Sequence, residues 1–224
     1  KKMASVIYGI DEDKISKDER FVGKTTILGA GYGMGAIKFQ NQLKQFDFDM
    51  QIDEARRVIK VYRDTYWRIN KLWRCAQHYL QSAYNKEDKP FGLHGVLKVE
   101  QGKIRLPSGL HLHYDGLMAT KTDMGFEYSY KTRKGMTRIY GGKIIENVCQ
   151  TIARCIIGEQ MLEIAKKYRV VLTVHDSIVC CVPEEQVEEA QEYVERCMRW
   201  TPTWAGGLPV DCESGIGKSY GDCE

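Results

Sequence analysis

Apolar residues recur at intervals of three and four along several stretches of the chain, which is the spacing of one face of an α-helix. The stretch from Asp53 to Tyr84 predicts one or two amphipathic helices. Residues 143–168 show the same spacing without a proline and predict one long helix. Pro183 opens a last amphipathic helix that runs to about Trp200. Helices are therefore expected to form a large part of the fold.

Other stretches alternate between apolar and polar residues, which is the period of a β-strand. Residues 93–114 alternate on both sides of Gln101-Gly102 and predict a hairpin with a tight turn. Residues 126–130 predict a further strand, and a basic loop over residues 131–135 is expected to follow it.

Two apolar runs, residues 170–174 and 178–182, flank the polar triplet His175-Asp176-Ser177. They predict two buried strands that turn at the triplet. Residues 204–224 are glycine-rich and are expected to be irregular. Strands and helices together predict a mixed α/β fold of the α+β class.

The first helix is expected to begin at Lys17-Asp18-Glu19-Arg20, where acidic residues precede apolar ones, and to run to about Lys44. Five glycines lie between residues 23 and 35. Each costs about 1 kcal/mol in a helix interior, so helix propensity does not explain them.

Composition narrows the class of protein. The chain has 224 residues, is 43% hydrophobic and carries a formal net charge of +3, which neither demands nor excludes a polyanionic partner. No run of about 18 apolar residues could cross a bilayer, and the opening residues do not form a signal-peptide core. We therefore expect a soluble intracellular, cytoplasmic protein with no membrane partner.

Eight cysteines are present, and none of them forms a C-x-x-C spacing. They are interpreted as reduced and mostly buried thiols. A zinc site built from scattered cysteines and the five histidines stays an alternative, although the close ligand spacing of structural zinc sites is absent.

Four residues spaced by fours form the first candidate site: Arg20, Lys24, Leu28 and Tyr32. Each step of four advances about 40° around a helix axis, so all four are predicted to share one side of one helix. Two cations and an aromatic ring could grip a triphosphate and pack against its base or sugar. Glycines 29, 31 and 33 would let a nucleotide approach the backbone. An ordinary charged surface is the alternative.

A competing pattern covers the same residues. Gly31-x-Gly33-x-x-Ala36 satisfies the dinucleotide-binding fingerprint and follows residues 25–28, which could form a strand. Such a unit needs a second strand that ends in an acid about 20 residues later. Residues 47–63 are instead charged and helical in period, which disfavours this interpretation.

The triplet His175-Asp176-Ser177 is the second candidate site. A carboxylate at a hairpin tip stands clear of the strand ladder and can hold a divalent cation. Turns also favour Asp and Ser for conformational reasons, so a purely structural role stays open.

Three segments taken together resemble the family A DNA polymerases, which include bacterial DNA polymerase I, and are closest to the phage-type members. Arg20-x-x-x-Lys24-x-x-x-Leu28-Gly29-x-x-Tyr32-Gly33 is similar to the nucleotide-binding helix of the fingers. Glu146-Asn147-Val148-Cys149-Gln150-x-x-Ala153-Arg154 resembles the long palm helix that faces the primer–template. Val174-His175-Asp176-Ser177 resembles the metal-binding hairpin.

The resemblance implies an architecture. Residues 1–135 correspond to a helical fingers subdomain with an inserted hairpin. Residues 136–224 correspond to the C-terminal half of a palm built on an antiparallel sheet. The implied activity is DNA-directed DNA polymerisation in DNA replication, with a DNA primer–template and deoxynucleoside triphosphates as partners.

The resemblance also implies residue roles. Arg20 and Lys24 would bind the incoming phosphates, and Lys24 could also donate a proton to the departing pyrophosphate. Leu28 would lie at the sugar, and Tyr32 and Gly33 would lie beside the templating base. His175 would contact the primer end, and Asp176 would bind two Mg²⁺ ions. The residues implied to contact the DNA are Gln150, Asn147 and Arg154.

Departures from the family pattern limit what is implied. The family's first metal-binding aspartate precedes the fingers, so the chain is expected to be a fragment that lacks an N-terminal polymerase portion and is inactive alone. Leu28 replaces a usual aromatic, and Ser177 replaces a usual glutamate.

A function of a different class is a non-catalytic nucleic-acid-binding module. It would use the basic helix 56–74 and the loop 131–143 and would be indifferent to Asp176→Ala. The cations opposite the apolar face of residues 53–84 are Arg56, Arg57, Lys60, Arg63, Arg68, Lys71 and Arg74. A merely solvated basic face is the interpretation that their spacing favours over direct nucleic-acid contact.

Overall fold

A computed structural model describes residues 1–92, 95–100, 102–123 and 125–223. Within them the helices are α1 (Lys2–Tyr8), α2 (Lys17–Ala30), α3 (Ala36–Lys44), α4 (Ile52–Thr65), α5 (Trp67–Asn85), α6 (Gly141–Ala165) and α7 (Val187–Arg199). The strands are β1 (Lys89–Phe91), β2 (Leu97–Glu100), β3 (Lys103–Arg105), β4 (His111–His113), β5 (Met118–Thr122), β6 (Gly125–Thr132), β7 (Gly135–Ile139), β8 (Val170–Val174) and β9 (Ser177–Cys180).

The predicted mixed fold of helices and antiparallel strands is confirmed. The pairs β5–β6, β6–β7 and β8–β9 are antiparallel, and the remaining strands form a sheet in the order β1-β2-β3-β4. The predicted hairpin over residues 93–114 corresponds to β2 and β3, which are neighbours in this sheet. Gln101 of its predicted turn, with Leu93 and His94, lies outside the described residues.

The helical periodicity predicted α4, α5, α6 and α7 correctly. The prediction of one helix from Lys17 to Lys44 is wrong, because α2 ends at Ala30 and α3 begins at Ala36. Gly33 between them has φ +83°, a left-handed conformation that ends a right-handed helix.

The predicted basic loop 131–135 is also wrong in part. Lys131 and Thr132 continue β6 and pair with Met136 and Gly135 of β7, so the chain reverses directly between the two strands. Gly135, at φ +109°, adopts a conformation that favours glycine and makes this reversal possible.

The strands β8 and β9 are less buried than predicted. One side of the pair packs through Val170 and Ile178 against a small core around Ile164. Val171 and Leu172 are 49% and 45% exposed. A two-stranded sheet packed on one side leaves the other side uncovered, and a register shift between Val170 and Leu172 interrupts the regular alternation of side chains. The cysteines are all free, but only Cys197 is buried, so the prediction of mostly buried thiols is wrong.

The chain divides into two compact units. The first comprises Lys1–Phe91, Lys98–Ile104 and Leu112–Val148, and the second comprises Gly92–Leu97, Arg105–His111 and Cys149–Glu224. Assignment of residues 1–135 to fingers and 136–224 to palm stays a prediction.

Each unit has a core of its own. In the first, α1 to α4 enclose a cluster of buried apolar residues: Met3, Ile7, Val22, Ala30, Phe39, Leu43, Met50, Ala55, Val58, Ile59 and Tyr62. In the second, α6, α7 and the β8–β9 pair surround Ile164, Tyr168, Ala190 and Cys197. The tail after α7 is irregular, as predicted, with 3₁₀ turns at Thr203–Ala205 and Tyr220–Asp222.

Candidate functional site

The helix α2 presents the first candidate residues on an exposed face. Its start is fixed by a capping box in which Ser16 Oγ accepts a hydrogen bond from the Glu19 amide and the Ser16 amide donates to Glu19. Hydrogen bonds donated to the Glu19 carboxylate by the Ser16 amide and the Ser16 hydroxyl lower the pKa of the Glu19 carboxyl. The capping box therefore fixes the point in the sequence at which α2 begins.

Arg20, Lys24 and Leu28 are all exposed on α2, and Leu28 is 57% exposed. Val22 and Thr26 on the other side of the helix are fully buried. The two cations are one helical turn apart, so both can reach the phosphates of one polyphosphate.

Tyr32 does not lie on this helix, so the prediction that all four residues share one helical face is wrong for it. Tyr32 occupies the turn after α2, where its amide donates to the Gly29 carbonyl at 3.2 Å. The hydroxyl of Tyr140 donates a 3.2 Å hydrogen bond to the Tyr32 carbonyl. Tyr32 is 40% exposed and lies two residues beyond the end of α2, the helix that carries Arg20 and Lys24.

Protein packing supplies a reason for the glycines on and after α2. A Cβ at Gly23 would lie 2.9 Å from Ala4 Cβ, and one at Gly29 would lie 2.9 Å from Met34 Sδ. A Cβ at Gly33 would lie 3.1 Å from the Tyr140 ring. These glycines therefore permit close approach by neighbouring protein groups, whereas the predicted approach of a nucleotide stays a prediction.

The second candidate site is the two-residue turn between β8 and β9. His175 and Asp176 form its tip and are exposed, and Val174 and Ser177 pair across its base. His175 has φ +53°, a conformation that side-chain-bearing residues seldom adopt. The Ser177 hydroxyl donates to the Val174 carbonyl at 2.8 Å and closes the turn.

The Asp176 carboxylate thus stands clear of the strand ladder, as predicted. Oxygen ligands suit Mg²⁺, which proteins commonly bind through one or two carboxylates together with substrate phosphates and water. No group of three or more His, Cys, Asp or Glu side chains among the described residues is arranged to hold a metal ion. Asp176 can therefore supply one carboxylate ligand of a magnesium site.

The candidate DNA-contacting residues recur along α6. Gln150 and Arg154 are exposed, whereas Asn147 is half-buried and donates through Nδ2 to the Tyr114 hydroxyl at 3.3 Å. Burial raises the pKa of the Tyr114 hydroxyl, which therefore stays protonated at neutral pH. The hydrogen bond to Tyr114 is therefore a structural contact of Asn147, separate from its predicted contact with DNA.

Tyr140 is the residue that the sequence patterns missed. It lies at the entry of α6 and contacts both Gly33 and the Tyr32 carbonyl. The following pair Gly141-Gly142 was the available signal, since adjacent glycines often mark a close approach. Here the Gly141 amide donates to Gln77 of α5 at 2.9 Å.

The structure places the candidate residues in both units. The first unit contains Arg20, Lys24, Leu28, Tyr32, Gly33 and Asn147. The second unit contains Gln150, Arg154, His175 and Asp176. Among the described residues, no helix combines the length and apolarity needed to span a bilayer.

Two phage proteins are similar to this chain over nearly its whole length. It is 28% identical to a DNA polymerase of Bacillus phage SP02 in an alignment of 233 positions that covers 97% of this chain and 35% of that protein. It is 24% identical to a DNA polymerase of Bacillus phage SP01 in an alignment of 229 positions that covers 99% of this chain and 22% of that protein. The chain therefore spans about a third or less of each relative. No protein-family model matches it.

A solved structure shares the fold. The POL domain of Pol1 from M. smegmatis, in complex with DNA primer–template and dNTP, matches with a TM-score of 0.61 and 18% identity. The match covers 99% of this chain and 34% of that one. The predicted mixed fold of a polymerase domain is thereby confirmed for this chain.

Proposed function

We propose that this chain supplies the nucleotide-binding helix and one metal-binding carboxylate of a DNA-directed DNA polymerase. The observation that carries the proposal is the similarity to two phage DNA polymerases over 97% and 99% of the chain. The exposed cations of α2 and the exposed carboxylate at the β8–β9 tip support it, because they are the groups that phosphoryl transfer needs.

Each residue has a role in this proposal. Arg20 and Lys24 bind the triphosphate of the incoming deoxynucleotide, and Lys24 Nζ donates a proton to the leaving pyrophosphate. Tyr32 packs beside the templating base, and Gly33 keeps its turn in the left-handed conformation. The His175 side chain contacts the primer end, while Gln150, Asn147 and Arg154 contact the duplex.

The Asp176 carboxylate holds magnesium. Two magnesium ions, when bound, lower the barrier by stabilising the attacking and leaving oxygens. A partner carboxylate is expected from a part of the polymerase other than these 224 residues. The 224-residue chain alone is therefore proposed to be inactive, and the working enzyme is placed in the cytoplasm of a bacterial or phage-infected host.

The experiment is single-turnover primer extension by the full-length protein and its variants. Asp176→Asn keeps the size of the side chain but loses the charge that binds metal, so the rate is expected to fall by roughly 10³-fold. Lys24→Ala removes a proton donor and a phosphate contact and should cost about 10²-fold. Lys38→Ala is the matched control, because Lys38 is another exposed lysine on a neighbouring helix, α3.

Primer–template affinity is measured in parallel for each variant. The proposal requires that the Asp176→Asn variant still binds DNA while its extension rate falls. Extension by Asp176→Asn at the wild-type rate would contradict catalysis and would favour the non-catalytic binding module.

A further inference from the structure

The helix α5 has two faces of different character. Its inner face is buried through Ala76, Leu80 and Ala83. The opposite side carries six exposed residues at intervals of three and four, which we call the α5 stripe: Trp67, Lys71, Arg74, His78, Gln81 and Asn85. At 100° per residue these six lie within about 40° of one line, and the line is about 27 Å long. The stripe is thus a straight polar track.

Its charge is unbalanced. The 19 residues of α5 include Arg68, Lys71 and Arg74 but neither aspartate nor glutamate. Among the described residues, Lys71 and Arg74 form no ion pair or side-chain hydrogen bond. Surface helices that only need solubility usually mix both signs of charge, so three uncompensated cations indicate an anionic partner.

The preceding helix α4 shows the contrast. There Arg56 pairs with Asp53 at 2.8 Å, and Arg57 pairs with Glu54 through hydrogen bonds of 2.8 and 2.6 Å. The charges of these two arginines are therefore compensated within the helix. Among the described residues, Lys60 and Arg63 of α4 and the cations of α5 form no ion pair and are left available to an external anion.

An aromatic ring lies at the start of the stripe. Trp67 is 56% exposed, and the Arg68 guanidinium lies 5.4 Å from its ring centroid. An exposed indole stacks on the face of an unpaired base, whereas the bases of a duplex are already stacked on each other. A cationic track with a stacking ring therefore suits a single strand better than a duplex.

A polar cavity of about 450 Å³ lies at the other end of the stripe. It is lined by His78, Gln81 and Asn85 of the stripe and by Glu87 and Lys89. Asn85 Nδ2 donates to Glu87 at 3.1 Å. A carboxylate disfavours phosphate, while amide and imidazole groups match the donors and acceptors on base edges. This end of the track suits a base.

We infer that the α5 stripe binds single-stranded nucleic acid, with phosphates at Lys71 and Arg74 and a base stacked on Trp67. The identity of that strand rests on the proposed function, under which it is the unpaired template ahead of the primer end. This surface is separate from the residues assigned to nucleotide binding and catalysis.

The test is fluorescence anisotropy of labelled primer–templates with the full-length protein. One substrate has a 12-nucleotide single-stranded template overhang. The other is a blunt duplex with the same number of base pairs and no overhang. The variants are the double substitution Lys71→Ala/Arg74→Ala and the single substitution Trp67→Ala. Arg56→Ala is the matched control, because it removes an exposed arginine whose charge Asp53 already compensates. Unfolding midpoints confirm that each variant is folded.

The double variant is expected to bind the overhang substrate at least tenfold more weakly and the blunt duplex as the wild type does. Its log–log salt slope on the overhang substrate should fall by about 1.4, since each single-strand phosphate contact contributes about 0.7. Trp67→Ala should weaken overhang binding by about tenfold, which is typical of a lost base stack. The charge-conserving variant Lys71→Arg/Arg74→Lys should retain overhang binding.

Equal losses on both DNA substrates, or no loss on either, would overturn the inference. Binding of a labelled polyglutamate peptide is measured in the same way. If the double variant loses polyglutamate binding but keeps overhang binding, the inference is overturned and the stripe is assigned to an acidic protein segment. Single-turnover extension on a substrate with a one-nucleotide overhang separates this inference from the proposed function. The double variant should extend it at the wild-type rate, even if the longer overhang is no longer held.

Discussion

The hydroxyl of Tyr140 donates a hydrogen bond of 3.2 Å to the main-chain carbonyl of Tyr32, which lies 108 residues earlier in the sequence. The ring of the same tyrosine lies against Gly33. One side chain at the entry of α6 therefore holds the turn in which a candidate nucleotide-binding residue sits.

Replacing Tyr140 by phenylalanine isolates the hydrogen bond, because the ring stays against Gly33. The loss should cost about 0.5–1 kcal/mol in the free energy of unfolding, measured with urea. The KM for deoxynucleotide in the full-length protein should rise about two- to fivefold, since Tyr32 is held less firmly. Tyr130→Phe is the control, because the Tyr130 hydroxyl makes no hydrogen bond among the described residues. Identical KM values for Tyr140→Phe and wild type would rule out this positioning role.

Replacing Gly33 by alanine should destabilise the protein. The residue has φ +83°, where a side chain costs about 1–2 kcal/mol, and its new Cβ would meet the Tyr140 ring at 3.1 Å. Gly158→Ala is the matched control with the opposite expected sign. Gly158 lies inside α6 with open space around it, so alanine there should stabilise the helix by roughly 0.5–1 kcal/mol. Urea unfolding of both variants measures the difference, and a stabilising Gly33→Ala would contradict the assigned strain.

Leu28 is the candidate position for sugar discrimination. The side chain is 57% exposed on the cationic face of α2, so Leu28→Phe should fold normally. The aromatic ring is expected to change the preference between deoxy- and dideoxynucleotides by roughly tenfold, the size of one altered substrate contact. Competitive incorporation by the full-length protein measures this ratio. An unchanged ratio would remove Leu28 from the sugar site.

The irregular tail is tied to α7 by Arg199. Its guanidinium donates to Glu195 at 2.7 Å and to Asp211 at 2.8 Å. The pKa of Glu195 is lowered by hydrogen bonds from Ser214 and Arg199, and that of Asp211 is lowered by the hydrogen bond from Arg199 and one from the Cys212 amide.

Groups whose pKa falls on folding stabilise the fold above their ordinary pKa and lose that contribution as the pH falls through the lowered value. The tail should therefore stay docked at neutral pH and loosen below about pH 4. Hydrogen exchange of residues 208–223 at pH 7 and at pH 3.5 measures the change, after correction for the intrinsic exchange rate. Arg199→Ala should loosen the tail at both pH values. Arg196→Ala, which removes a neighbouring exposed arginine, should not.

Much of the fold follows from local patterns in the sequence. The periodicities of α4 to α7 and a turn at His175-Asp176-Ser177 were predictable, because each depends on residues close in sequence. The turn itself is one residue shorter than predicted, since Ser177 already belongs to β9. The end of α2 at Ala30 was not predicted, since the helical spacing of Leu28 and Tyr32 continues past the glycines that break the helix. Likewise, the spacing of fours placed Tyr32 on the helix when it lies in the following turn.

Features that depend on distant residues could not be predicted from local patterns. The contact between Tyr140 and Tyr32 joins elements more than a hundred residues apart. The exposure of Val171 and Leu172 depends on how few strands accompany β8, which alternation and hydrophobicity do not reveal. The roles of Arg20, Lys24 and Asp176 came from a resemblance to a family, and chemistry at these positions stays a proposal.

We propose that Lys24 contacts the phosphates of the incoming nucleotide and that Asp176 binds magnesium. The most direct measurement is a crystal structure of the full-length protein with primer–template, a non-hydrolysable deoxynucleoside triphosphate and Mg²⁺. The proposal predicts Lys24 Nζ at about 3 Å from a phosphate oxygen of the triphosphate and an Asp176 oxygen at about 2.1 Å from a magnesium ion. A bound triphosphate that touches neither residue, with Asp176 still in solvent, would contradict it.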